Sequence, residues 1–304
     1  MMGLLEGKVV IVTGAGRGVG RCIALEAAKA GAKVVVNDLG GDATGAGGEI
    51  GPAQAVVDEI TAAGGEAVAD GHSVAEWASA QAIVERARDT FGGLDGVVNN
   101  AGILRDTIFH KMDPETFDSV VKVHLYGAFH VSRAAADVFR AQGSGAYVHM
   151  SSSSALVGNM AQANYMAAKL GVVGLSKSIA MDMARYNTRS NAIAPWAWTR
   201  LVGTIPNETP EQKARVEGLK KLKPELIAAF PVALLSDRAR DVSGQVFGVR
   251  ANEIYLFSQS RVIRSVHAGE GWTPETAVER AIPALSPSFY PLDKSGDVFT
   301  WDPV

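Results

Sequence analysis

A short apolar strand, a glycine-rich turn and a helix follow one another near the start of the chain. Together they restrict the possible folds more than any other feature. Residues Lys8–Thr13 (KVVIVT) form a β-branched apolar run, which is typical of a buried strand. Four glycines follow at positions 14, 16, 18 and 20, and a helix is predicted over Arg21–Ala30. In this context the glycines let a pyrophosphate approach the backbone N–H groups at the helix N-terminus, whereas a plain tight turn is the alternative. The predicted cofactor contacts here are Gly14, Arg17, Gly18, Val19 and Gly20.

Strand and helix patterns alternate along the rest of the chain, as expected for a parallel sheet with helices on both faces. The predicted strands are Lys8–Thr13, Lys33–Asn37, Glu66–Ala69, Leu94–Val98, Ala146–Met150, Ser190–Ala194 and Gly244–Val249. The predicted helices after the first are Ala53–Ala63, Glu76–Thr90, Pro114–Gln142 with an interruption near Gly127, Gln162–Ala184, Glu208–Lys223 and Pro224–Leu235. This order predicts an α/β fold, a Rossmann-type doubly wound sheet of seven parallel strands with a C-terminal extension.

In the extension, Glu253–Phe257 and Arg261–Val266 are predicted as two short strands joined by a tight turn, and Pro274–Ala284 as a helix. We find no internal repeat and no low-complexity linker. We therefore expect one dinucleotide-binding and catalytic domain over residues 1–304, with residues 250–304 packed on it.

A carboxylate and a small-residue segment extend the predicted nucleotide site. Asp38 follows the second strand, where a carboxylate accepts hydrogen bonds from ribose hydroxyls and would repel a 2′-phosphate. NAD is therefore favoured over NADP. The Arg17 cation points the other way, since it could pair with that 2′-phosphate. The alternative for Asp38 is an ordinary turn aspartate. After the fourth strand, Asn99-Asn100-Ala101-Gly102 lets the backbone lie against a flat ring system.

Three side chains are predicted to converge at one edge of the sheet. Tyr165 and Lys169 are four residues apart in an Ala-rich helical segment, so they share a helix face. Ser152 follows the fifth strand. A tyrosine pKa is about 10, and a neighbouring cation favours the phenolate, so the pair predicts a proton-transfer site. A second Tyr-x-x-x-Lys, Tyr290 to Lys294, has prolines that oppose a continuous helix, and we attribute it to chance.

Several other features have two interpretations each. Trp196 and Trp198 either form a pocket rim for a flat or apolar substrate or close the core. The polar segment Glu208–Lys223 is either a basic lid or a solvated helix face, and the second is favoured. Cys22 lies in the first helix, where a buried structural thiol is favoured over a reactive one.

Composition excludes several classes of protein. The chain has 304 residues, 47% of them hydrophobic, and a net charge of −3, so nucleic-acid or membrane-surface binding is not expected. One cysteine excludes an intrachain disulfide and a cysteine-based zinc cluster, and no metal site is expected. No segment is long and apolar enough to span a membrane. We see neither a signal peptide nor a C-terminal SKL, so a reducing cytoplasm is expected.

The motifs together resemble the short-chain dehydrogenase/reductase family over residues 4–250. The resemblance rests on Thr13-Gly14-x3-Gly18-x-Gly20, Asn99-Asn100-Ala101-Gly102, Ser152, Tyr165 and Lys169, in this order. It implies that Tyr165 is the general acid/base, that Lys169 lowers its pKa and binds the nicotinamide ribose, and that Ser152 orients the substrate oxygen. It also implies cofactor contacts at Tyr165, at Asn100, Ala101 and Gly102, and at the backbone near Trp198.

Two positions depart from the family pattern. His124 stands where the family has an asparagine that holds a water in a proton relay; the imidazole either preserves that relay or is a buried, satisfied histidine. Trp196 stands where the family often has glycine.

Within the family, four segments are similar to the (3R)-hydroxyacyl-CoA dehydrogenase domains of peroxisomal multifunctional enzymes of type 2. They are residues 35–42, residues 101–106, His124, and residues 158–159 with 162–165. This similarity implies an NAD-dependent oxidation of a 3-hydroxyacyl-CoA. One alternative is a steroid or other bulky cyclic alcohol as substrate, for which an apolar pocket would be walled by Trp196, Trp198, Leu156 and Met160. The other alternative is an idle nucleotide-sensing protein. Family members associate through long helices, so a homodimer or homotetramer through Thr116–Val138 and Asn164–Met183 is expected.

Overall fold

The chain forms one large, mostly parallel sheet. The computed structural model describes residues 3–199 and 209–303. Within these ranges an eight-stranded sheet has the order β3-β2-β1-β4-β5-β6-β7-β8. The strands are Val9–Thr13 (β1), Lys33–Asn37 (β2), Glu66–Asp70 (β3), Gly96–Asn99 (β4), Gly145–Met150 (β5), Thr188–Trp196 (β6), Val246–Arg250 (β7) and Glu253–Leu256 (β8). Strands β1 to β7 are parallel, which confirms the predicted doubly wound α/β fold.

The eighth strand corrects the predicted strand count. Strand β8 pairs antiparallel with β7, with Phe247 opposite Leu256. It occupies the free edge of the sheet after a tight turn at Ala251, whose φ is +50°. The predicted partner Arg261–Val266 forms no strand. The first strand of the expected hairpin therefore joins the main sheet instead.

Helices cover both faces of the sheet. They are Gly18–Lys29 (α1), Gly51–Ala62 (α2), Trp77–Phe91 (α3), Pro114–Val121 (α4), Gly127–Gln142 (α5), Ser153–Leu156 (α6), Ala163–Asp182 (α7), Pro210–Lys220 (α8), Glu225–Leu235 (α9), Pro274–Thr276 (α10), Ile282–Leu285 (α11) and Ser295–Val298 (α12). Buried residues of α1, α2 and α9 form one apolar cluster with the sheet. Buried residues of α3 and α5 form the other, on the opposite face. The core is therefore split into two layers by the sheet.

The order in which successive strands are added to the sheet reverses between β1 and β4. Strands β1, β2 and β3 extend outward on one side, and the chain then returns to place β4 on the other side of β1. In such sheets, ligands bind in the crevice at the carboxyl ends of the strands on either side of this switch. The strand order therefore locates the candidate site between the ends of β1 and β4.

The long predicted helix over Pro114–Gln142 contains an irregular turn. Residues Lys122–Tyr126 form a π-helical turn that joins α4 to α5, directly before Gly127. A Cβ on Gly127 would lie 2.7 Å from a methyl of Val74, so the packing there requires glycine. The π turn places His124 inside the protein. Such turns are frequent at functional sites.

Candidate active site

A cavity of about 660 Å³ opens at the carboxyl ends of the strands. At one end it is lined by the glycine turn after β1 and by Asp38. At the other end it is lined by Ser152, Tyr165, Lys169 and the segment that follows β6. A volume of this size is within the usual range for small-molecule and cofactor pockets.

The N-terminus of α1 presents backbone N–H groups to this cavity. The N-cap residue Arg17 is extended and makes no side-chain cap, and the first turn contains no acidic residue. Gly18 has a φ of +54°, which favours glycine. A Cβ on Gly20 would lie 2.2 Å from the carbonyl oxygen of Gly14. The turn is therefore compact, and its first N–H groups are left available to an anion.

Asp38 lies beside the glycine turn at the end of β2. Its Oδ2 accepts a hydrogen bond from the Gly16 N–H at 2.8 Å, and its Oδ1 accepts one from the Gly40 N–H at 2.7 Å. Arg17 is directed to the following loop, where its Nη1 donates to the carbonyl oxygen of Gly41 at 3.1 Å. The carboxylate thus lies at the cavity wall in a fixed orientation.

Asn100 braces the two strands that flank the crevice. Its Nδ2 donates to the carbonyl oxygens of Thr13 and Gly14, each at 3.0 Å. A Cβ on Gly14 would lie 2.7 Å from the Cα of Ala101, so the two segments are in close contact. Asn100, Ala101 and Gly102 all line the cavity, and the Asn100 side chain is also engaged in holding the glycine turn.

The three predicted catalytic side chains meet at the cavity wall. Ser152 is the N-cap of α6, and its Oγ accepts from the Ser154 N–H at 3.1 Å. The Ser152 hydroxyl also interacts with the Tyr165 phenol, and this interaction acts to lower the pKa of Tyr165. The Lys169 Nζ lies 5.8 Å from the centre of the Tyr165 ring and donates to the carbonyl oxygen of Met150 at 2.5 Å. Tyr165 lies on the first turn of α7, and Lys169 follows one turn later.

Burial disfavours the charged forms of both Tyr165 and Lys169. It raises the pKa of Tyr165 above its ordinary value, and the interaction with Ser152 opposes this rise, whereas the negative charge of Asp106 adds to it. Burial also lowers the pKa of Lys169 from 10.5 to about 7. Desolvation is thus the largest influence on the pKa of both groups, and the lowering of the Tyr165 pKa by Lys169 stays a prediction.

His124 is buried next to Tyr165. Its Nε2 lies 2.8 Å from the carbonyl oxygen and 3.1 Å from the N–H of Ile103, and its ring contacts the Tyr165 ring edge-on at 5.2 Å. Its Nδ1 is buried without a hydrogen-bond partner among the described residues. Burial and the nearby Lys169 hold the pKa of His124 well below 6.5. The imidazole is therefore neutral, and the interpretation as a fully satisfied histidine holds only for Nε2.

A second, much smaller cavity adjoins His124. Its volume is about 10 Å³, and its lining includes both His124 and Lys169. This is about the space that one water molecule requires.

Trp196, the last residue of β6, and Trp198 both line the cavity. Trp196 also packs against Phe299 at 4.8 Å between ring centres, so it has a place in both the rim and an aromatic cluster. The backbone N–H of Trp198 donates to the carbonyl oxygen of Leu222 at 2.6 Å. Glu208, the first residue of the predicted segment Glu208–Lys223, lies outside the described residues. Helix α8 begins at Pro210, two residues after the predicted start at Glu208.

Several cavity-lining residues were not predicted as site residues from the sequence. They are His72, Ser73, Asp106, Asn159, Gln162, Thr199, Leu219 and Leu222. Asp106, Asn159 and Gln162 follow the carboxyl ends of β4 and β5, and this position is the signal that could have identified them.

The second Tyr-x-x-x-Lys pair lies outside this site, as predicted. Tyr290 is 80% exposed, and Lys294 is the N-cap of the short helix α12. Cys22 is buried in α1, and burial raises its pKa, which agrees with a structural thiol.

Comparison with known proteins identifies the family. The family model described as enoyl-(acyl carrier protein) reductase matches residues 14–251. A short-chain type dehydrogenase/reductase of Mycobacterium tuberculosis is 48% identical over 258 residues, which are 83% of this chain and 86% of that protein. The chain belongs to the short-chain dehydrogenase/reductase family. It is therefore an oxidoreductase-type enzyme, as the sequence motifs predicted.

The predicted resemblance within this short-chain dehydrogenase/reductase family is also confirmed. Peroxisomal multifunctional enzyme type 2 of Mus musculus is 41% identical over 272 residues, which are 89% of this chain. The matched region is only 35% of the mouse enzyme's length.

Two solved structures share the fold. A short-chain dehydrogenase from Mycobacterium avium has a TM-score of 0.82 and 40% identity, and the match covers 95% of this chain and 98% of that one. A 7α-hydroxysteroid dehydrogenase in complex with NADH and 7-oxoglycochenodeoxycholic acid has a TM-score of 0.71 and 31% identity. That match covers 82% of this chain and 94% of the other.

Within residues 3–199 and 209–303, no helix is both long and apolar enough to cross a membrane. No group of three or more His, Cys, Asp or Glu residues is arranged to hold a metal ion in the described parts of the chain.

Proposed function

We propose that this enzyme uses NAD to interconvert a secondary alcohol and a ketone, with a 3-hydroxyacyl-CoA and the 3-ketoacyl-CoA as the substrate pair. The observation that carries the proposal is the shared cavity, which has a glycine turn with uncapped N–H groups at one end. The phenol of Tyr165, the amine of Lys169 and the hydroxyl of Ser152 lie at the other.

The residues at the nucleotide end fit a dinucleotide without a 2′-phosphate. Gly14, Gly18, Val19 and Gly20 would surround the pyrophosphate, since the N-terminus of α1 offers its unpaired N–H groups there. Asp38 would accept hydrogen bonds from ribose hydroxyls and repel a phosphate at the same place. Arg17 donates to the Gly41 carbonyl oxygen, so it is directed to this loop. Asn100, Ala101, Gly102 and the backbone at Trp198 would border the nicotinamide.

Bound NAD supplies a hydride acceptor, and the protein supplies position and proton transfer. The Ser152 hydroxyl holds the substrate oxygen beside the Tyr165 phenol. Tyr165, as phenolate, takes the hydroxyl proton of the alcohol, and it returns that proton in the direction of reduction. Lys169, when protonated, stabilises the phenolate electrostatically because its Nζ lies within one helical turn of Tyr165.

His124 completes the proposed proton path. Its unpartnered Nδ1, the adjoining cavity of about 10 Å³ and the nearby Lys169 would accommodate a water between the imidazole and the amine. Because His124 is neutral, it can accept a hydrogen bond there without adding charge.

The substrate assignment follows from the similarity to type 2 peroxisomal multifunctional enzymes in the segments after β4 and around Tyr165. A hydroxysteroid is the second candidate, because Trp196 and Trp198 line the cavity and the structural relative described above binds a steroid ketone. Leu156 and Met160, the other two residues expected to wall an apolar pocket, are not among the cavity-lining residues.

One assay separates these candidates. The purified protein is incubated with NAD or NADP and with (3R)- or (3S)-hydroxyacyl-CoA thioesters or hydroxysteroids, and NAD(P)H formation is followed by absorbance. We expect turnover with NAD and a hydroxyacyl-CoA at a kcat/KM at least about tenfold above that with any steroid. Preferential turnover of a steroid supports the second candidate, and NADH binding without turnover on any alcohol supports a nucleotide-sensing protein.

We further propose that the enzyme is a cytoplasmic homodimer or homotetramer whose subunits meet through the faces of α4, α5 and α7. Large apolar side chains that stay exposed on these helices support this interface. They are Phe117 (40% exposed), Phe129 (44%), Leu170 (54%) and Met181 (71%). Residues 1–304 would act as one unit, with residues 250–304 packed on the sheet edge through β8.

A further inference from the structure

Asp106 is an acidic side chain of the cavity wall that the proposed chemistry does not use. It lies on the segment after β4 and lines the same cavity as Ser152 and Tyr165. Its Oδ2 accepts a hydrogen bond from the Gln162 Nε2 at 2.7 Å. Its Oδ1 has no hydrogen-bond partner among the described residues. One oxygen of the carboxylate is thus anchored, and the other is available.

Hydrogen bonds on both sides of Asp106 fix the backbone that carries this carboxylate. The Thr107 N–H donates to the carbonyl oxygen of Ala161 at 2.9 Å, and the Asn164 Nδ2 donates to that of Arg105 at 3.0 Å. These bonds on both sides of Asp106 join its segment to the start of α7. The backbone at Asp106 is therefore held against the start of α7, and the Gln162 hydrogen bond orients its exposed side chain, which favours selective binding.

The hydrogen bonds of this wall run in one direction. The Asn159 Nδ2 donates to the Gln162 Oε1 at 2.9 Å, and Gln162 in turn donates to Asp106. The Asn159 Oδ1 already accepts from the Met160 N–H at 3.0 Å. This chain of hydrogen bonds, from Asn159 through Gln162, therefore ends at the Asp106 carboxylate. An ionised carboxylate accepts hydrogen bonds and cannot donate them. Such a group favours an N–H or O–H donor on the substrate and repels an anion.

Asp106 is close to the reacting centre without being at it. Gln162, which holds Asp106, is the N-cap of α7, and Tyr165 lies in the first turn of that helix. The charge of Asp106 is also near enough to influence the ionisation of Tyr165. This separation suits a group on the substrate a few bonds away from the reacting carbon.

We propose that Asp106 is a specificity-determining residue whose carboxylate accepts a hydrogen bond from the first amide N–H of the thiol arm of a 3-hydroxyacyl thioester. The inference rests on the proposed function. In a CoA thioester this amide lies two carbons beyond the sulfur and is a neutral donor. The negative phosphates of CoA are farther along the arm than this amide.

A pair of truncated substrates tests the inference, since they differ only in the donor. The first is the 3-hydroxybutyryl thioester of N-acetylcysteamine, which has the amide N–H. The second is the thioester of 2-mercaptoethyl acetate, in which an ester oxygen replaces the N–H. The kcat/KM of each substrate is measured with the wild-type enzyme, with Asp106→Ala and with the control Glu115→Ala. Glu115 is 89% exposed, is not a cavity-lining residue, and loses the same charge on substitution.

We expect the wild-type enzyme and Glu115→Ala to prefer the amide thioester by about tenfold or more, the usual scale for a hydrogen bond to a charged group. In Asp106→Ala this preference should fall to less than about twofold, mainly through a higher KM for the amide substrate. Asp106→Asn keeps the shape and one acceptor oxygen, and should retain an intermediate preference. It also serves as the test variant if Asp106→Ala does not fold.

The outcomes distinguish this inference from the proposed function. Equal use of the two thioesters by the wild-type enzyme, or an unchanged preference in Asp106→Ala and Asp106→Asn, overturns the inference and leaves the proposed function standing. Failure to turn over any thioester, with turnover of another alcohol, overturns both.

Discussion

At the scale of single residues, the site is built from polar groups whose charged forms are disfavoured by burial. The pKa of Lys169 is lowered to about 7, that of His124 is well below 6.5, and that of Tyr165 is raised. Perturbed groups of this kind cluster where proton transfer takes place near neutrality. Burial of these polar groups thus destabilises the folded protein at the residues that we assign to proton transfer.

Tyr165→Phe removes only the phenolic oxygen, so it tests the assignment of the proton-transfer group. We expect kcat to fall by at least about 10²-fold, the usual scale for general acid–base catalysis. NADH affinity, measured by fluorescence titration, should remain within about threefold of the wild-type value, because the aromatic ring and the other predicted cofactor contacts are retained. Turnover close to the wild-type rate in this variant would exclude Tyr165 from the mechanism.

Lys169→Met should stabilise the fold while abolishing activity. The folded chain binds the Lys169 proton less tightly than the unfolded chain, since the pKa is about 7 rather than 10.5. The burial penalty is therefore absent above pH 10.5, grows as the pH falls towards 7, and is constant below 7. We expect the variant to gain on the order of 2 kcal/mol of unfolding free energy at pH 7 and less at pH 9.5.

Urea unfolding at the two pH values measures this difference. Lys177→Met, an exposed lysine on the same helix, is the matched control and should change stability little at either pH. A gain that is equal at both pH values would contradict the proposed cause.

At the scale of secondary-structure elements, the C-terminal segment contacts both walls of the substrate side. The Ser295 N–H donates to the carbonyl oxygen of Gly158 at 2.8 Å, in the loop before α7. Phe299 packs against Trp196 and Tyr255 at 4.8 and 5.4 Å between ring centres. The Trp301 Nε1 donates to Glu253 of β8 at 2.8 Å. The tail thus supports elements that are distant in sequence.

Phe299→Ala tests this support. Phe299 is half-buried, so we expect a loss of about 1–2 kcal/mol of unfolding free energy, less than for a fully buried aromatic residue. Because Trp196 loses a packing partner, the KM for substrate should rise more than the KM for NAD. Thermal unfolding and steady-state kinetics measure both effects. Phe289→Ala, at a residue 62% exposed in the same tail, should leave both quantities near the wild-type values.

Element boundaries were predicted well wherever one physical signal dominated. Strand β2 was predicted at Lys33–Asn37, as observed, because an apolar β-branched run is bounded there by glycine and alanine before it and by polar residues after it. The π turn at Lys122–Tyr126 was anticipated only as an interruption near Gly127, since a π turn has no pattern of its own in sequence. Strand β8 was predicted, but its partner was wrong, because pairing depends on which edge is free in three dimensions.

At the scale of the whole molecule, exposed apolar side chains lie on the faces of α5 and α7 and on the tail. Phe129 and Leu170 are 44% and 54% exposed, and Val262 in the tail is 87% exposed. Large apolar residues that stay exposed in a group indicate surfaces that associate. Our proposal assigns the subunit interface to the helices.

Phe129→Glu combined with Leu170→Glu should reduce the oligomeric mass, since two buried carboxylates without partners are costly at an interface. Val262→Glu is the control and should leave the mass unchanged. Analytical ultracentrifugation gives the mass of each variant. If Val262→Glu alone caused dissociation, the interface would be assigned to the tail instead of the helices.

The sequence by itself determined the chain's fold class, its family and the residues from which the site is made. The reason is that these depend on local patterns: strand, glycine turn and helix at residues 8–30, and Tyr165 one helical turn from Lys169. Only the tertiary structure decided what surrounds these residues. The burial of Lys169 and His124, the anchoring of Asp106 by Gln162 and the packing of Phe299 on Trp196 join segments that are distant in the chain. Desolvation and long-range contacts of this kind arise from packing, which no local pattern of residues encodes.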